Sequence, residues 1–582
     1  MIRAGCPPAS FWHFLSSAQI HDGAALAALA ALMTLCNAVK PLHVDDPYYY
    51  AFASHIARSP LDPYGFEMTW DDSLAPTRSA LHWLAPPVFI YWVAGCISLC
   101  GHEPFLLKLG LLPFVLVFVA SLHQLLRRFA WPLQMPLTWL IGLSPGILPS
   151  INLMPDIPAL ALELLAYCLF LRAFDDNRVA LGMLAGLVSG LAMQTKYTGL
   201  VIPLVFLAYG LWQRRLRVGV SAALTAGLIF FAWEAMLWSR YGESHFLHNA
   251  GRQNLSLFNK CLHLVMPFFS LWGGVGSAAL VLGLLSINAS RRVIIASILA
   301  IVLGLGAVAY LPDSCTVLAG RTAKHPLYFR NVFFGLQGCV LSAIIIRLLI
   351  KSMARNRRHG GKATSEIVEQ HWASSIMPNG AFLYIWLAAE IVGYFVLSPF
   401  PAVRRILGVF LASTVLLSRL GSHRGGRMGL RGAYRLAAFG AALGGCFYAV
   451  DLQESISQKQ AAALTVQKIH SFSPARTWCL GRWGFSHYAQ LAGMANGLKR
   501  PLFLKKGDIL AVGDSVCWPY GFDLTAAQVE RLDQISITDH VPLRTVSPFY
   551  GGRSPCEHLQ GPRITVGLYR VINDVRLGLP LR

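Results

Sequence analysis

Apolar runs of membrane-spanning length alternate with short polar breaks along most of the chain. A span needs about 20 predominantly apolar residues. Such runs fall at about 23–40, 105–124, 133–151, 157–174, 218–238 and 263–287, and again at about 293–311, 331–349, 381–398, 404–419 and 434–450. Residues 180–212 are apolar except for Thr195-Lys196-Tyr197-Thr198-Gly199 in the middle. Arg178 precedes this stretch and Arg214, Arg215 and Arg217 follow it. Basic residues on both flanks predict a hairpin of two short spans with Lys196 at the far turn. The total is about 13 spans, which puts the two ends of the chain on opposite sides.

The polar breaks carry the chemistry. The first run ends in Pro41-Leu42-His43-Val44-Asp45-Asp46-Pro47. Asp46-Pro47 predicts a helix N-cap followed by the first helical residue, with the helix stopped by Ser59-Pro60. That leaves Asp45 just outside the helix, facing solvent or substrate. Residues 41–104 form a long loop whose second half, Pro86 to Trp92, predicts a helix lying in the membrane interface. Residues 1–451 thus make a transmembrane domain. Residues 452–582 are mixed in polarity, with strand-like pieces at Thr477–Leu480, Asp508–Val512 and Arg563–Ile572 and a helical piece near Tyr488–Met494. They predict a small α+β domain outside the membrane.

Composition sharpens this. The chain is 55% hydrophobic and only 13% charged, where a soluble domain carries about 25% charged residues. The class is therefore an all-α polytopic membrane protein with a C-terminal extracytoplasmic α+β domain. The net charge of +21 does not indicate nucleic-acid binding, because the basic residues cluster in the breaks, as at Arg127-Arg128, Arg291-Arg292, Arg355 to Lys362 and Arg419 to Arg435. One-sided clusters read as cytoplasmic. This predicts a multi-pass protein of the inner (plasma) membrane, with a cytoplasmic N-terminus and an extracytoplasmic C-terminus. Asp45, Asp46, Asp156, Lys196, His245, Arg404 and Arg405 then gather at the outer face. Cys479, Cys517 and Cys556 fall in the polar C-terminal part, where one disulfide is an option.

Four ordered pieces are similar to GT-C membrane glycosyltransferases, specifically glycosyltransferase family 39, which includes protein O-mannosyltransferases and aminoarabinose transferases. They are Asp45-Asp46; Ala85 to Trp92 with Gly101-His102-Glu103-Pro104-Phe105; Leu143-Ser144-Pro145 with Pro155-Asp156-Ile157-Pro158; and Gly190 to Lys196. The family's commoner acidic pair is Asp-Glu. The resemblance implies a polyprenyl-phosphate-linked sugar donor, used at the outer face with inversion onto a protein hydroxyl, lipid A or an envelope glycan. Inversion needs a base on the acceptor side and cations on the departing phosphate. Asp45 is the base candidate, with Asp46 capping its helix and orienting the site. Lys196, Arg404 and Arg405 are the phosphate candidates, and Asp156 helps orient the acceptor or the loop. A divalent metal held by Glu67 with one of His82, His245 and His248 stays open, with no close-spaced motif to specify it. The competing class is a multi-pass lipid or sugar transporter or flippase, which would want ionisable groups near mid-membrane.

Overall fold

The computed structural model describes residues 17–68, 78–83, 85–251, 257–319, 326–359, 367–422, 429–472, 474, 476–497, 502–513 and 528–577. Among these, the chain is a helical bundle followed by a smaller mixed α/β unit. The helices are α1 (Ser17–Ala38), α2 (Asp46–Arg58), α3 (Pro87–Cys100), α4 (Pro104–Leu109), α5 (Leu112–Ala130), α6 (Gln134–Gly142) and α7 (Asp156–Asp175). They continue as α8 (Val179–Met193), α9 (Val201–Trp212), α10 (Leu216–Tyr241), α11 (His245–Gly251), α12 (Leu257–Val275), α13 (Ser277–Ser286) and α14 (Arg291–Tyr310). The last are α15 (Asp313–Thr316), α16 (Phe329–His359), α17 (Ile367–Leu397), α18 (Leu407–Ser422), α19 (Leu430–His470), α20 (Trp483–Leu491) and α21 (Val546–Gly551).

The expected 13 spans are too many. Among the described residues, seven helices are long and apolar enough to cross a membrane, or eight if α12 and α13, bent by 78° to each other, form one broken span. The run at 133–151 yields only the 9 residues of α6. Beyond it the chain turns at Ser144-Pro145 and stays irregular but buried up to Asp156. The predicted hairpin at 180–212 is the pair α8 and α9, of 15 and 12 residues. At about 1.5 Å per residue, neither reaches the roughly 30 Å of hydrocarbon. The apolarity of α6 serves packing within the protein: its Leu137, Leu140 and Ile141 are all buried. Small residues let helices meet closely, as at Gly186 of α8, where a Cβ would lie 2.2 Å from the Ala222 carbonyl oxygen of α10.

The α/β unit carries a five-stranded sheet in the order Ala495–Asn496, Thr477–Leu480, Ile509–Gly513, Ile564–Val571, Val529–Ile537. Thr477–Leu480 pairs in parallel with both neighbours, and Ile564–Val571 is antiparallel to both of its own. One face packs on the end of α19 through Ala461, Ala462 and Ile469. The 41 residues of α19 run unbroken from the bundle, through position 451, to this sheet. Cys479 and Cys556 are free, buried thiols, so no disulfide joins them; Cys517 lies outside the described residues.

The loop after α1 is held by buried charge. Lys40 Nζ donates to Asp451 of α19 at 2.8 Å and to the Pro149 carbonyl at 3.0 Å. His43 Nε2 lies 3.2 Å from the same Asp451 carboxylate. Lys108 of α4 donates to the Lys40 carbonyl at 3.0 Å and sits 3.0 Å from Asp46. All five side chains are buried. Burial alone would raise the Asp46 carboxyl, but Lys108 and His43 outweigh it and hold the group below its ordinary range.

Asp46 is therefore not the expected cap. The N-cap position is Asp45, whose carbonyl accepts from the amides of Tyr48 at 3.0 Å and Tyr49 at 3.2 Å. Neither carboxylate is spent on a cap hydrogen bond to the helix that follows: Asp46 faces Lys108, and Asp45 faces a cavity. An Asn at 46 would satisfy a cap but would leave the Lys108 ammonium buried beside a neutral group. Breaking a buried pair costs about 3–5 kcal/mol. Asp46→Asn is expected to lower the thermal midpoint in detergent accordingly; an unchanged midpoint would show that Lys108 finds another counter-charge.

Candidate functional site

Five of the six residues singled out in the sequence line one cavity of about 860 Å³. They are Asp45, Asp156, Lys196, Arg404 and Arg405. Asp46, the sixth, lies behind the wall in the network above. Each arrives on a different support. Asp45 opens α2, and Asp156 opens α7 after Pro155. Lys196 precedes a single 3-10 turn, Tyr197–Leu200, between α8 and α9, and the arginines form the 3-10 turn Val403–Arg405 before α18.

The charges interlock. Lys196 Nζ donates to Asp156 at 2.6 Å and to the Arg404 carbonyl at 3.0 Å. Arg404 forms an ion pair with Asp45. Arg405 lies over the Phe400 ring at 5.2 Å and makes no ion pair among the described residues. Burial lowers the Lys196 ammonium to about 8, with Asp156 holding it up and Arg405 pushing it further down. The cluster thus holds three cations against two carboxylates at a cavity wall.

The C-terminal part also contributes to the lining, through Arg482, Trp483, Ser547 and Tyr550. Tyr550 also donates to Asp451 at 3.1 Å, tying this part to the buried network. Val44 and Trp483, both lining the cavity, have φ of 49° and 53°. Left-handed backbone is costly for a β-branched or bulky residue, by about 1–3 kcal/mol, so the surrounding packing must hold both in place.

A second cluster sits at the rim. Glu243 lies 3.1 Å from His82 Nε2 and 3.2 Å from His248 Nδ1, and the two imidazoles stack at 3.9 Å between centroids. One ligand atom from each of the three residues falls within 4.8 Å of the others. Two imidazoles and a carboxylate are a donor set suited to a divalent ion such as zinc. The cluster is able to coordinate one. Glu67, expected as a ligand, is not in it; it pairs across a two-residue strand with Ser79 instead. His245 is also elsewhere. Its Nε2 lies 2.7 Å from the Trp83 carbonyl, and burial lowers it to about 4, so the ring is neutral at physiological pH.

Several residues here carried a weak sequence signal. Lys108, Glu163 and Glu390 are lone charges inside apolar runs, and such charges flag a function or a buried partner. Glu243, Trp483 and Tyr550 had none, because only tertiary contact brings them to the cavity.

The sequence profile of the family described as dolichyl-phosphate-mannose-protein mannosyltransferase matches residues 85–238. That stretch carries Asp156 and Lys196 and is well under half of the chain. No curated protein matches the chain by sequence. Among solved structures, the chain is similar to the archaeal oligosaccharyltransferase AglB from Archaeoglobus fulgidus, with 14% identity over 83% of this chain and a TM-score of 0.45. It spans 65% of the length of that protein. It is also similar to ArnT from Cupriavidus metallidurans bound to undecaprenyl phosphate, with 14% identity over 86% of this chain and 94% of that one, and a TM-score of 0.38. Arabinosyltransferase EmbB from Mycobacterium smegmatis follows, with 14% identity over 84% of this chain and 44% of that one, and a TM-score of 0.33.

The rim cluster has a direct test. Zinc titrated into the purified protein is expected to bind once, and Glu243→Gln or His248→Ala to weaken that binding by more than about tenfold, since even outer-shell changes cost 10–100-fold. Equal affinity in the variants would assign the ion to other ligands.

Proposed function

We propose that the chain is a membrane glycosyltransferase that moves a sugar from a polyprenyl-phosphate donor to an acceptor at the extracytoplasmic face. The observation that carries this is the meeting of Lys196, Arg404 and Arg405 with Asp45 and Asp156 at one cavity wall. Three cations facing two carboxylates leave a net positive site, suited to a phosphate whose charge grows as the sugar departs. The partial match of residues 85–238 to a mannosyltransferase family supports the same reading. In this reading, residues 1–451 form the catalytic transmembrane domain, and the C-terminal part completes the lining of the cavity.

The step balances on the chain's own residues. The acceptor hydroxyl attacks the anomeric carbon from the face opposite the phosphate, the bond from that carbon to the phosphate oxygen breaks, and its electrons go to the phosphate. Asp45 takes the hydroxyl proton. Arg405, without an ion pair among the described residues, binds the phosphate as a planar fork. Arg404 fixes Asp45, and Asp156 fixes Lys196. A divalent ion on His82, Glu243 and His248 would supply Lewis-acid charge at the rim. A transporter remains the second reading, because Glu163 and Glu390 lie within α7 and α17, both of spanning length. Transfer of labelled sugar from a polyprenyl-phosphate donor by the purified protein separates the two; transport without transfer would overturn the enzyme reading.

Two predictions follow from the roles. Asp45→Asn is expected to fold and bind donor but to lose activity by about 10²–10⁴-fold, the usual contribution of a general base. Arg405→Ala is expected to raise the donor KM far more than the acceptor KM, and equal effects would remove it from the phosphate site. The pH dependence comes from Lys196. A lysine depressed to about 8 keeps its charge below that pH and loses it above. Donor affinity is therefore expected to fall as pH rises through 8, and Lys196→Arg, with its permanent charge, to lack this loss.

A further inference from the structure

Directly beneath the cation cluster lies a pair of carboxylates that the reaction above does not use. Glu163 of α7 and Glu390 of α17 both accept from the single indole N–H of Trp386, at 3.0 Å and 3.2 Å. The shared N–H holds the two carboxylates close together. Two buried carboxylates at one site repel too strongly for both to ionise, so the pair keeps one proton. Glu163 is buried, and Glu390 is half-buried towards a small cavity. Gly408 of α18 makes room for Glu390: a Cβ there would lie 2.0 Å from its Oε2. The pair is thus built into the packing of three helices.

The small cavity, of about 20 Å³, holds about one water. It is lined by Glu163 and Glu390 on one side and by Asp156, Lys196, Arg404 and Arg405 on the other. The same four side chains line the large cavity on their far face. The cations therefore stand between two anionic positions: the carboxyl pair below and the proposed phosphate above. The titratable groups facing the pair are Tyr167 from α7 itself, Tyr394 from α17, Lys196 and Asp156 from their turns, and the two arginines. The lining residues contributed by α9 and α18, namely Val201, Leu407 and Gly408, carry no titratable group.

We propose that Glu163 and Glu390 form a proton-holding pair whose proton content is coupled to occupancy of the phosphate site. The inference rests on the phosphate reading of the cation cluster. With the large cavity empty, the cations stabilise the one negative charge that the singly protonated pair retains. A lipid phosphate on the far side competes for the same cations. The pair then loses that stabilisation and binds a second proton from water through the one-water cavity. Release of the lipid phosphate returns the proton. By linkage, a proton taken up on binding makes binding tighter as pH falls, approaching tenfold per pH unit when one full proton is taken up. The charge within this region of the protein then stays constant as the lipid phosphate arrives and leaves.

The test uses the full chain in detergent and a short-chain prenyl methyl phosphodiester, whose phosphate keeps one charge throughout the neutral range. Binding is measured by calorimetry in buffers of different ionisation enthalpy, which counts protons taken up. Infrared difference spectra on the same samples read the carboxylic-acid C=O band, which histidines and lysines do not contribute. The wild-type protein is expected to bind, to take up a proton and to gain this band. Glu163→Gln and Glu390→Gln, isosteric changes, are expected to bind with the uptake and the band lost. Binding by the wild type with no gain in the band overturns the pair's role and leaves the phosphate site standing, whether or not the variants fold. Variants that bind and keep the band assign the proton to another carboxyl and overturn it too. No binding of the phosphodiester overturns the phosphate reading and the coupling with it.

Discussion

The structure depends on the burial of charge behind the loop that follows α1. Lys40, His43, Asp46, Lys108 and Asp451 come from four separate segments and are all buried. An unpaired charge there would be strongly destabilising, so each fixes the position of its partners. Lys108 ties α4 to the loop, and Asp451 ties the loop to α19. Asp45 follows from this arrangement. Its neighbour Asp46 is anchored inward, and Asp45, the residue before it, is turned outward to the cavity. The left-handed backbone of Val44 is the local cost of that reversal.

The cavity is assembled from both ends of the chain. Asp45, Asp156 and Lys196 belong to its first half, Arg404 and Arg405 to its later half, and Trp483 and Tyr550 to the C-terminal part. Segments so far apart in sequence meet only if the bundle and the sheet are held in one relation. The hydrogen bonds of Tyr550 to Asn152, at 2.7 Å, and to Asp451 do part of this. Strain at Val44 and Trp483 fits a site whose shape is imposed by its surroundings.

The charge placement was legible in the sequence for a physical reason. Carboxylates and cations at breaks between apolar runs have few places to go, and Asp45, Asp156, Lys196, Arg404 and Arg405 do line one cavity. The roles within the Asp pair were not legible. Asp-Asp-Pro reads locally as a cap, and nothing local reveals that Lys108, 62 positions on by sequence number, claims Asp46. The span count failed because apolarity reports burial without saying whether lipid or protein does the burying, as α6 demonstrates, and because α8 and α9 are too short to cross. Three strands of the C-terminal sheet were legible from their apolar runs. The long strand Val529–Ile537 was not. It is an edge strand, and its charged, partly exposed side chains hide the apolar alternation.

The continuity of α19 has a mechanical consequence. An unbroken helix of 41 residues is a rod about 60 Å long at 1.5 Å per residue. It carries Asp451 of the buried network part-way along and the core of the sheet at its far end. A rod clamped at both places acts as a strut and not as a hinge. The C-terminal wall then cannot swing away from the bundle as a lid would. If the proposed reaction holds, the acceptor meets a cavity of fixed shape, and the dimensions of that cavity, more than any closing motion, set how bulky an acceptor fits.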